Sequence, residues 1–307
     1  MGEINAQFLA YALVILAGYA ARRIGLLNQS DADAISRIIF RLTLPTLVIA
    51  SLYEVVIASS QLIFCIVAFA AGMLLQIVTY VLFKRDSRDS RILATLCAGG
   101  YNVGLFAFPI VGLLWGQTYM PYIVLFDCGN SLIVFGVTYL MAMYSGQDGG
   151  KVNKGLMLKK FFSSATLVTY LVMLALRSLG IVLPSFLVKT CQVISQANLP
   201  LSLLLIGLSL SFVLNRSEVR LMLRTLSVRY VLGMAMAALI LLLPLGLPYG
   251  VRTMLAFAVL LPIPAAAMPY AMEFRINTRL TATAISVTMI LGFLISWLLF
   301  GVLVPAV

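Results

Sequence analysis

Long apolar stretches, each about the length of a membrane-spanning helix, recur along this chain of 307 residues and constrain its fold more than any other feature. A helix needs ~20 predominantly apolar residues to cross a bilayer. Only helices and closed barrels satisfy their backbone groups inside lipid. The sequence therefore predicts an all-α integral membrane protein with ten transmembrane helices, at residues 4–22, 34–54, 61–83, 92–115, 119–143, 160–179, 186–213, 221–243, 251–273 and 280–304.

The composition agrees with this class and excludes several others. Hydrophobic residues make up 62% of the chain and charged residues 10%, whereas soluble domains carry roughly 25% charged residues. The chain has no histidine and its four cysteines are dispersed, so we expect no metal centre and no cofactor. The sequence contains neither a phosphate-binding loop nor an HExxH motif, and only one acidic residue lies deep in a span, so we expect no enzyme activity.

The basic residues indicate how the chain is oriented. Of the 21 lysines and arginines, 17 fall after the odd-numbered spans, and cytoplasmic loops carry such an excess. Arg216, Arg220, Arg224 and Arg229 are counted here as charges of the loop after the seventh span. The pattern predicts a multi-pass protein of the cell (inner) membrane with both termini extracytoplasmic. It also explains the net charge of +11 without a nucleic-acid partner.

The two halves of the chain resemble each other at a constant offset of 155 residues. The matched landmarks are Arg22-Arg23-Ile24-Gly25 with Arg177-Ser178-Leu179-Gly180, Leu44-Pro45 with Leu199-Pro200, and Pro109 with Pro264. Five spans per half is an odd number, so the second copy must be inserted upside down, as in many secondary transporters. We expect a first five-helix repeat at 1–145, a cytoplasmic linker at 146–159, and a second, inverted five-helix repeat at 160–307.

Two spans contain glycines or prolines half way across the membrane. They are the fourth, with Gly99-Gly100-Tyr101-Asn102 followed by Gly104 and Pro109, and the ninth, with Pro262, Pro264 and Pro269. Proline breaks or kinks a helix, and the new half-helix offers free N–H groups and a positive dipole end that favour an anion. The alternative is a pair of kinked packing helices. The candidate substrate-binding residues are Asn102, Gly104, Pro109, Asn198, Pro264 and Pro269.

Asp127 is the acidic residue that lies deep in a span, and Asn130 follows it one turn later on the same face. An intramembrane carboxylate costs ~3 kcal/mol or more and is a functional hypothesis by default. Asp127 and Asn130 are therefore the candidate ion-coupling residues, for Na⁺ or H⁺. The sequence leaves a second interpretation open, in which a neighbouring amide or hydroxyl makes Asp127 a buried structural group.

A set of short motifs resembles prokaryotic members of the auxin efflux carrier family, which includes plant auxin exporters and bacterial malate and malonate permeases. The motifs are Gly18-Tyr19, Arg22 to Leu27, Leu44-Pro45, Asn102 seven residues before Pro109, Gly129-Asn130, Asn198-Leu199-Pro200 through Gly207, and Pro264 five residues before Pro269. The resemblance implies that helices 4 and 9 are broken and cross, that substrate binds at the crossover, and that the protein forms a homodimer. Tyr101 stands where the family has a proline, and the central loop is short.

These observations together predict a secondary active transporter of small organic anions, working by alternating access in membrane lipid. The substrate would bind at the crossover of the broken helices 4 and 9. The alternative function is a non-transporting membrane sensor or scaffold on a carrier fold, because a fold alone does not establish flux. The sequence leaves Na⁺ coupling, H⁺ coupling and uncoupled transport open.

Overall fold

A computed structural model describes residues 2–53, 59–146, 164–212, 215–244 and 246–303. Within these ranges all regular structure is helical. The helices are α1 (Gly2–Arg23), α2 (Gln29–Leu52), α3 (Ile63–Phe83), α4 (Arg88–Ala98), α5 (Val103–Leu114), α6 (Gln117–Gly146), α7 (Ala165–Ser178), α8 (Ser185–Ser209), α9 (Arg216–Leu242), α10 (Tyr249–Ala258), α11 (Ala267–Glu273) and α12 (Thr278–Leu303).

Six of the described helices are long and apolar enough to cross a membrane: α2, α3, α6, α8, α9 and α12. Helices α4 and α5 are long and apolar enough only when taken together, and they are bent by 42° at their break, the geometry of a broken span or a re-entrant loop. An all-helical, multi-pass membrane protein is therefore confirmed. The expected span 4–22 corresponds to α1, 160–179 to the shorter α7, and 251–273 to α10 and α11 with a loop between them. Residues 147–163 lie outside the described residues and contain nearly all of the expected linker 146–159.

Helices α1 and α8 approach each other closely through two glycines. A Cβ atom added at Gly18 would lie 2.5 Å from the carbonyl oxygen of Leu204, and one added at Gly207 would overlap the carbonyl of Ile15. The Nη1 of Arg22 donates to the carbonyl oxygen of Leu208 at 2.5 Å. Small residues at such contacts let helix backbones pack tightly in lipid, where no hydrophobic force drives association.

Helix α6 is the most deeply buried of the six spans and packs against α3. Gly129 makes this contact possible, because a Cβ atom there would overlap the carbonyl of Cys65. Asp127, Asn130 and Ser131 lie on this helix and are buried. The polar part of α6 is thus enclosed by protein, as the cost of exposing such groups to lipid requires.

Helices α1 and α7 end in the same way. The N–H of Leu26 donates to the carbonyl of Ala21 at 2.9 Å, and the N–H of Ile181 donates to the carbonyl of Leu176 at 2.9 Å. Gly25 and Gly180 precede these residues with φ of 76° and 69°, a conformation that glycine adopts without steric cost. Both ends are Schellman-type caps.

Helices α2 and α8 are both irregular near their middle. In α2 a π-helical turn at Ile39–Thr43 precedes Leu44, and in α8 a turn separates Ser185–Ser195 from Asn198–Ser209. The two irregularities touch, because the hydroxyl of Thr43 donates to Oδ1 of Asn198 at 3.0 Å. A polar side-chain pair therefore joins the two helices where their backbones deviate.

Candidate functional site

The first helix break lies between α4 and α5. Gly100 has φ of 90°, a left-handed conformation that favours glycine, and a Cβ atom on it would lie 2.7 Å from Oδ1 of Asn130. The break therefore depends on glycine, although Tyr101 stands where the resemblance implies proline. Helix α5 then begins with a π-helical turn at Val103–Ala107, and Pro109 lies inside its α-helical part.

The second break lies between α10 and α11 and contains Pro262 and Pro264, neither of which has an N–H to donate. The N–H of Ile263 between them donates to the hydroxyl of Thr288 on α12 at 3.1 Å. Helix α11 has only seven residues. Its macrodipole is accordingly that of a short helix, weaker than the sequence-based expectation of a half-span helix implied.

The two breaks contact each other directly, and we call this place the crossing. The N–H of Asn102 donates to the carbonyl oxygen of Pro262 at 3.0 Å. One acceptor in the second break thus satisfies a donor freed by the first. Backbone that leaves a helix within a membrane must find such partners in the protein or line a cavity.

Arg229 on α9 joins both sides of the crossing from within the protein. It is only 3% exposed. Its Nη1 donates to the carbonyl of Cys97 at 2.9 Å, and its Nη2 lies 2.8 Å, 2.7 Å and 3.0 Å from the carbonyl oxygens of Gly100, Leu261 and Pro262. These carbonyls lie in the last turn of α4 or just beyond the C-terminal ends of α4 and α10, so the guanidinium offsets the negative dipole ends of both helices.

The sequence analysis placed Arg229 among the loop charges, and this was wrong. It lies eight residues inside the stretch 221–243, a depth of roughly 12 Å along a helix. A side chain on that face of the helix cannot keep its charged end in water. This depth was the available signal. Its carbonyl partners were not readable from the sequence, because no pattern in the chain marks them.

Asn130 secures the first break from α6. Its Oδ1 accepts from the N–H of Tyr101 at 2.8 Å, and its Nδ2 donates to the carbonyl of Tyr101 at 2.9 Å and to Oδ1 of Asp127 at 2.8 Å. The other carboxylate oxygen of Asp127 accepts from the hydroxyl of Tyr170 on α7 at 2.7 Å. Asp127 therefore has the amide and hydroxyl partners of its structural interpretation. Tyr170 was missed, since a tyrosine in an apolar stretch gives no distinguishing signal.

A small central cavity lies beside the crossing, with a volume of about 40 Å³. Five of the candidate residues line it: Asn102, Gly104, Asp127, Asn130 and Pro264. The Nδ2 of Asn102 is buried and has no hydrogen-bond partner among the described residues. Since a buried water needs ~10–15 Å³, the central cavity has room for about three waters and is too small for an organic acid in this conformation.

Two larger cavities lie on either side of the central cavity. The arginine-lined cavity, of about 600 Å³, contains Arg22, Arg37, Arg279 and Pro269, and shares Ala265 with the central cavity. The amide-lined cavity, of about 730 Å³, contains Gln117, Gln192, Gln196, Asn198 and Pro109. The structure thus brings five of the eight candidate residues together and places Pro109, Asn198 and Pro269 in the flanking cavities.

Comparison with known proteins establishes the family. The family model described as "Membrane transport protein" matches residues 6–300. An uncharacterised transporter of Methanothermobacter thermautotrophicus is 25% identical over 150 residues, 48% of this chain and 50% of its own length. An uncharacterised transporter of Methanocaldococcus jannaschii is 26% identical over 210 residues, 65% of this chain and 66% of its own length. The matches thus span between half and about two thirds of these relatives. The chain belongs to the auxin efflux carrier family of membrane transport proteins, and its relatives are transporters, not enzymes.

Proposed function

We propose that this protein is a secondary active transporter of small organic anions, which binds its substrate at the crossing and works by alternating access. The observation that carries the proposal is the bond from the Asn102 N–H to the Pro262 carbonyl at 3.0 Å, which joins the two helix breaks. Interrupted spans at corresponding places in two halves are the best pointer to a transporter's binding site.

The proposed architecture is ten spans in two inverted repeats, with broken helices 4 and 9. In support of it, helices α1 to α6 and α7 to α12 follow one another in the same order, each set with two short helices separated by a break in fourth place. The glycine caps at Gly25 and Gly180 are 155 positions apart, as are Thr43 and Asn198. A contact between equivalent residues is expected where a pseudo-twofold axis passes. The offset does not extend to Pro109, which lies within α5, and Pro264, which precedes α11.

The helix ends and the free amide at the crossing favour an anion. Arg229 donates hydrogen bonds to the carbonyls at the C-terminal ends of α4 and α10. These negative dipole ends therefore do not face a ligand. The N-terminal end of α5 begins next to Asn102, and positive helix ends stabilise anionic groups. The unpartnered Nδ2 of Asn102 would supply a further donor to a carboxylate.

The sizes of the cavities fit alternating access. The central cavity is too small for substrate, while cavities of about 600 Å³ and 730 Å³ flank it. Substrate binding would therefore require the crossing to open toward one flanking cavity at a time, which is the gating that lids and closures provide in other proteins. Pro109, Asn198 and Pro269 would then line the two entry paths, and Asn102, Gly104 and Pro264 the closed site.

We further propose that Asp127 and Asn130 couple transport to Na⁺ or H⁺. Asp127 is 5% exposed and borders the central cavity, where an intramembrane carboxylate is a functional hypothesis by default. The proposal places the protein in the cell (inner) membrane with both termini extracytoplasmic, based on the distribution of basic residues. It also includes a homodimer, which the family resemblance implies. In this orientation the arginine-lined cavity opens to the cytoplasm.

The test is flux into proteoliposomes, with malate, malonate, citrate, oxalate and indole-3-acetate as probes. We expect saturable uptake of at least one anion, abolished by Asn102→Ala. Asn28→Ala is the matched control, because Asn28 only caps α2 at an exposed end. It should leave the half-saturating concentration unchanged.

Uptake that persists with the same half-saturating concentration in Asn102→Ala would remove the crossing from the binding site. Absence of uptake for every anion, together with thermal stabilisation by one of them, would favour the sensor alternative. Absence of both would contradict the organic-anion assignment.

A further inference from the structure

We infer that the arginine-lined cavity is an anion-capture vestibule, which gathers negatively charged solutes before they reach the crossing. The inference rests on the proposed function, and it names one end of the pathway as the preferred entry. Three arginines line this cavity, Arg22 and Arg37 from the first repeat and Arg279 from the second. Of the described residues that line it, Asp33 alone is acidic.

Membrane topology explains why arginines occupy this end of the helices, but it does not explain their convergence on one cavity. The positive-inside bias is satisfied by any position in a short loop. Arg85 meets that requirement on an exposed turn after α3, away from the cavity. Arg22, Arg37 and Arg279 instead come from the C-terminal end of α1, from α2 and from the first turn of α12.

The three arginines differ in what holds them. Arg22 is half-buried and donates to the carbonyl of Leu208 at 2.5 Å, which fixes its charge at the cavity wall. Arg37 and Arg279 are exposed, and the guanidinium of neither makes a hydrogen bond or ion pair with another described residue. Their guanidinium groups are therefore available to a mobile carboxylate, which a bidentate fork matches in geometry.

The inner end of the vestibule leads to the crossing. Leu105, three residues after Asn102, lines the vestibule, and Ala265 lines both the vestibule and the central cavity. An anion held at the arginines would thus share a cavity with the wall that must open. None of the described residues that line the amide-lined cavity, at the other side of the crossing, is charged. The two entry paths are electrostatically unequal.

This asymmetry has a kinetic consequence. A cleft lined by one sign of charge raises the local concentration of counter-charged solute and its association rate by about 10- to 1,000-fold. The effect declines with salt, since the screening length is about 10 Å at 0.1 M ionic strength. We therefore expect anions to associate faster from the vestibule side than from the amide-lined side, and the difference to shrink in high salt.

The charge of the vestibule can be measured without transport, by the reaction rates of introduced thiols. Ser209→Cys places a thiol in the vestibule and Ser51→Cys one in the amide-lined cavity. Each variant reacts in separate experiments with an anionic sulfonatoethyl and a cationic trimethylammonioethyl methanethiosulfonate. The reaction rate of the wild-type protein, which has only the native cysteines, is subtracted from each measured rate. The ratio of the two rates cancels differences in thiol ionisation and accessibility.

We expect the anionic-to-cationic ratio to be about tenfold higher at Ser209→Cys than at Ser51→Cys in low salt. Combining Arg37→Gln with Arg279→Gln should lower the ratio at Ser209→Cys by about threefold or more, whereas Arg85→Gln should leave it unchanged. Arg22 is retained because its bond to Leu208 belongs to the helix packing. Equal ratios at the two thiols, or a ratio unaffected by the double substitution, would overturn the inference.

A second measurement connects the vestibule to flux. In oriented proteoliposomes, the double substitution should raise the half-saturating concentration of a transported anion such as malonate when it is applied from the vestibule side. It should have little effect from the other side. If no anion is transported but the anionic-to-cationic rate ratio is higher at Ser209→Cys than at Ser51→Cys, only the proposed function is refuted. If anions are transported but the ratio is equal at the two thiols, only the vestibule is refuted.

Discussion

Arg229→Met should destabilise the crossing more than any other single substitution in α9. The guanidinium makes four contacts with carbonyl oxygens. Among the described residues, only the carbonyl of Pro262 has another donor, the N–H of Asn102. Three carbonyls are thus left without a donor. Hydrogen bonds measured inside membrane proteins average ~0.6 kcal/mol and reach ~1.7 kcal/mol, so the loss is about 2–5 kcal/mol.

Part of this loss is offset, because the variant no longer buries a charge, which costs several kcal/mol per ion after relaxation. We expect a net destabilisation of about 1–2 kcal/mol, which corresponds to a fall of roughly 4 °C in the apparent melting temperature in detergent. Transport should be lost as well, since both breaks lose their common partner. Arg229→Lys keeps the charge but not the planar fork, and should lie between wild type and Arg229→Met.

The assay is a thermal-shift measurement in detergent together with proteoliposome uptake. Arg220→Met is the matched control: it makes the same change on the same helix at an exposed position without a described partner. It should leave both readouts near wild type. If Arg229→Met melted and transported like Arg220→Met, the argument that the guanidinium holds the crossing together would be refuted.

Three further predictions concern the surroundings of the crossing. Asn130→Ala removes three hydrogen bonds and leaves the N–H of Tyr101 buried without a partner, so it should cost about 1–3 kcal/mol; a melting temperature equal to that of Ser131→Ala, its buried neighbour, would contradict this. Asp127→Asn should change the Na⁺ or pH dependence of uptake more than the substrate affinity, and superimposable ion and pH profiles would remove Asp127 from coupling. Gly207→Ala forces a Cβ atom onto the Ile15 carbonyl and should lower the melting temperature of the protein in a thermal-shift measurement. A melting temperature equal to that of wild type would contradict the close contact between α1 and α8.

The class of the protein follows from its sequence because apolar length is a local property. The stretches at 34–54, 61–83 and 280–304 each correspond to a described helix that is long and apolar enough to span a membrane. The interruption around Gly99 to Asn102 was also predictable, since two consecutive glycines within an apolar stretch disfavour a continuous helix and are visible in the sequence itself. Span lengths and helix breaks of this kind can be predicted without knowing which residues pack against them.

Contacts between distant parts of the chain were not predictable in the same way. Nothing next to Asn102 marks Pro262 as its partner, and Tyr170 resembles any tyrosine in a membrane span. Arg229 shows the limit most clearly, because counting basic residues by loop ignores how deep each one lies. The carbonyls it contacts belong to two helix ends that come together only in the folded protein.

The composition of the crossing also bears on how the protein is made. The first break is complete only when the N–H of Asn102 meets Pro262 and the carbonyls of Cys97 and Gly100 meet Arg229. All of these partners are synthesised more than a hundred residues later. Until the C-terminal half has been synthesised, these backbone groups of the N-terminal half therefore lack their protein partners in the bilayer. During that time they must be hydrated or shielded by the insertion machinery. Two halves expressed as separate polypeptides would be expected to assemble only when they are produced together.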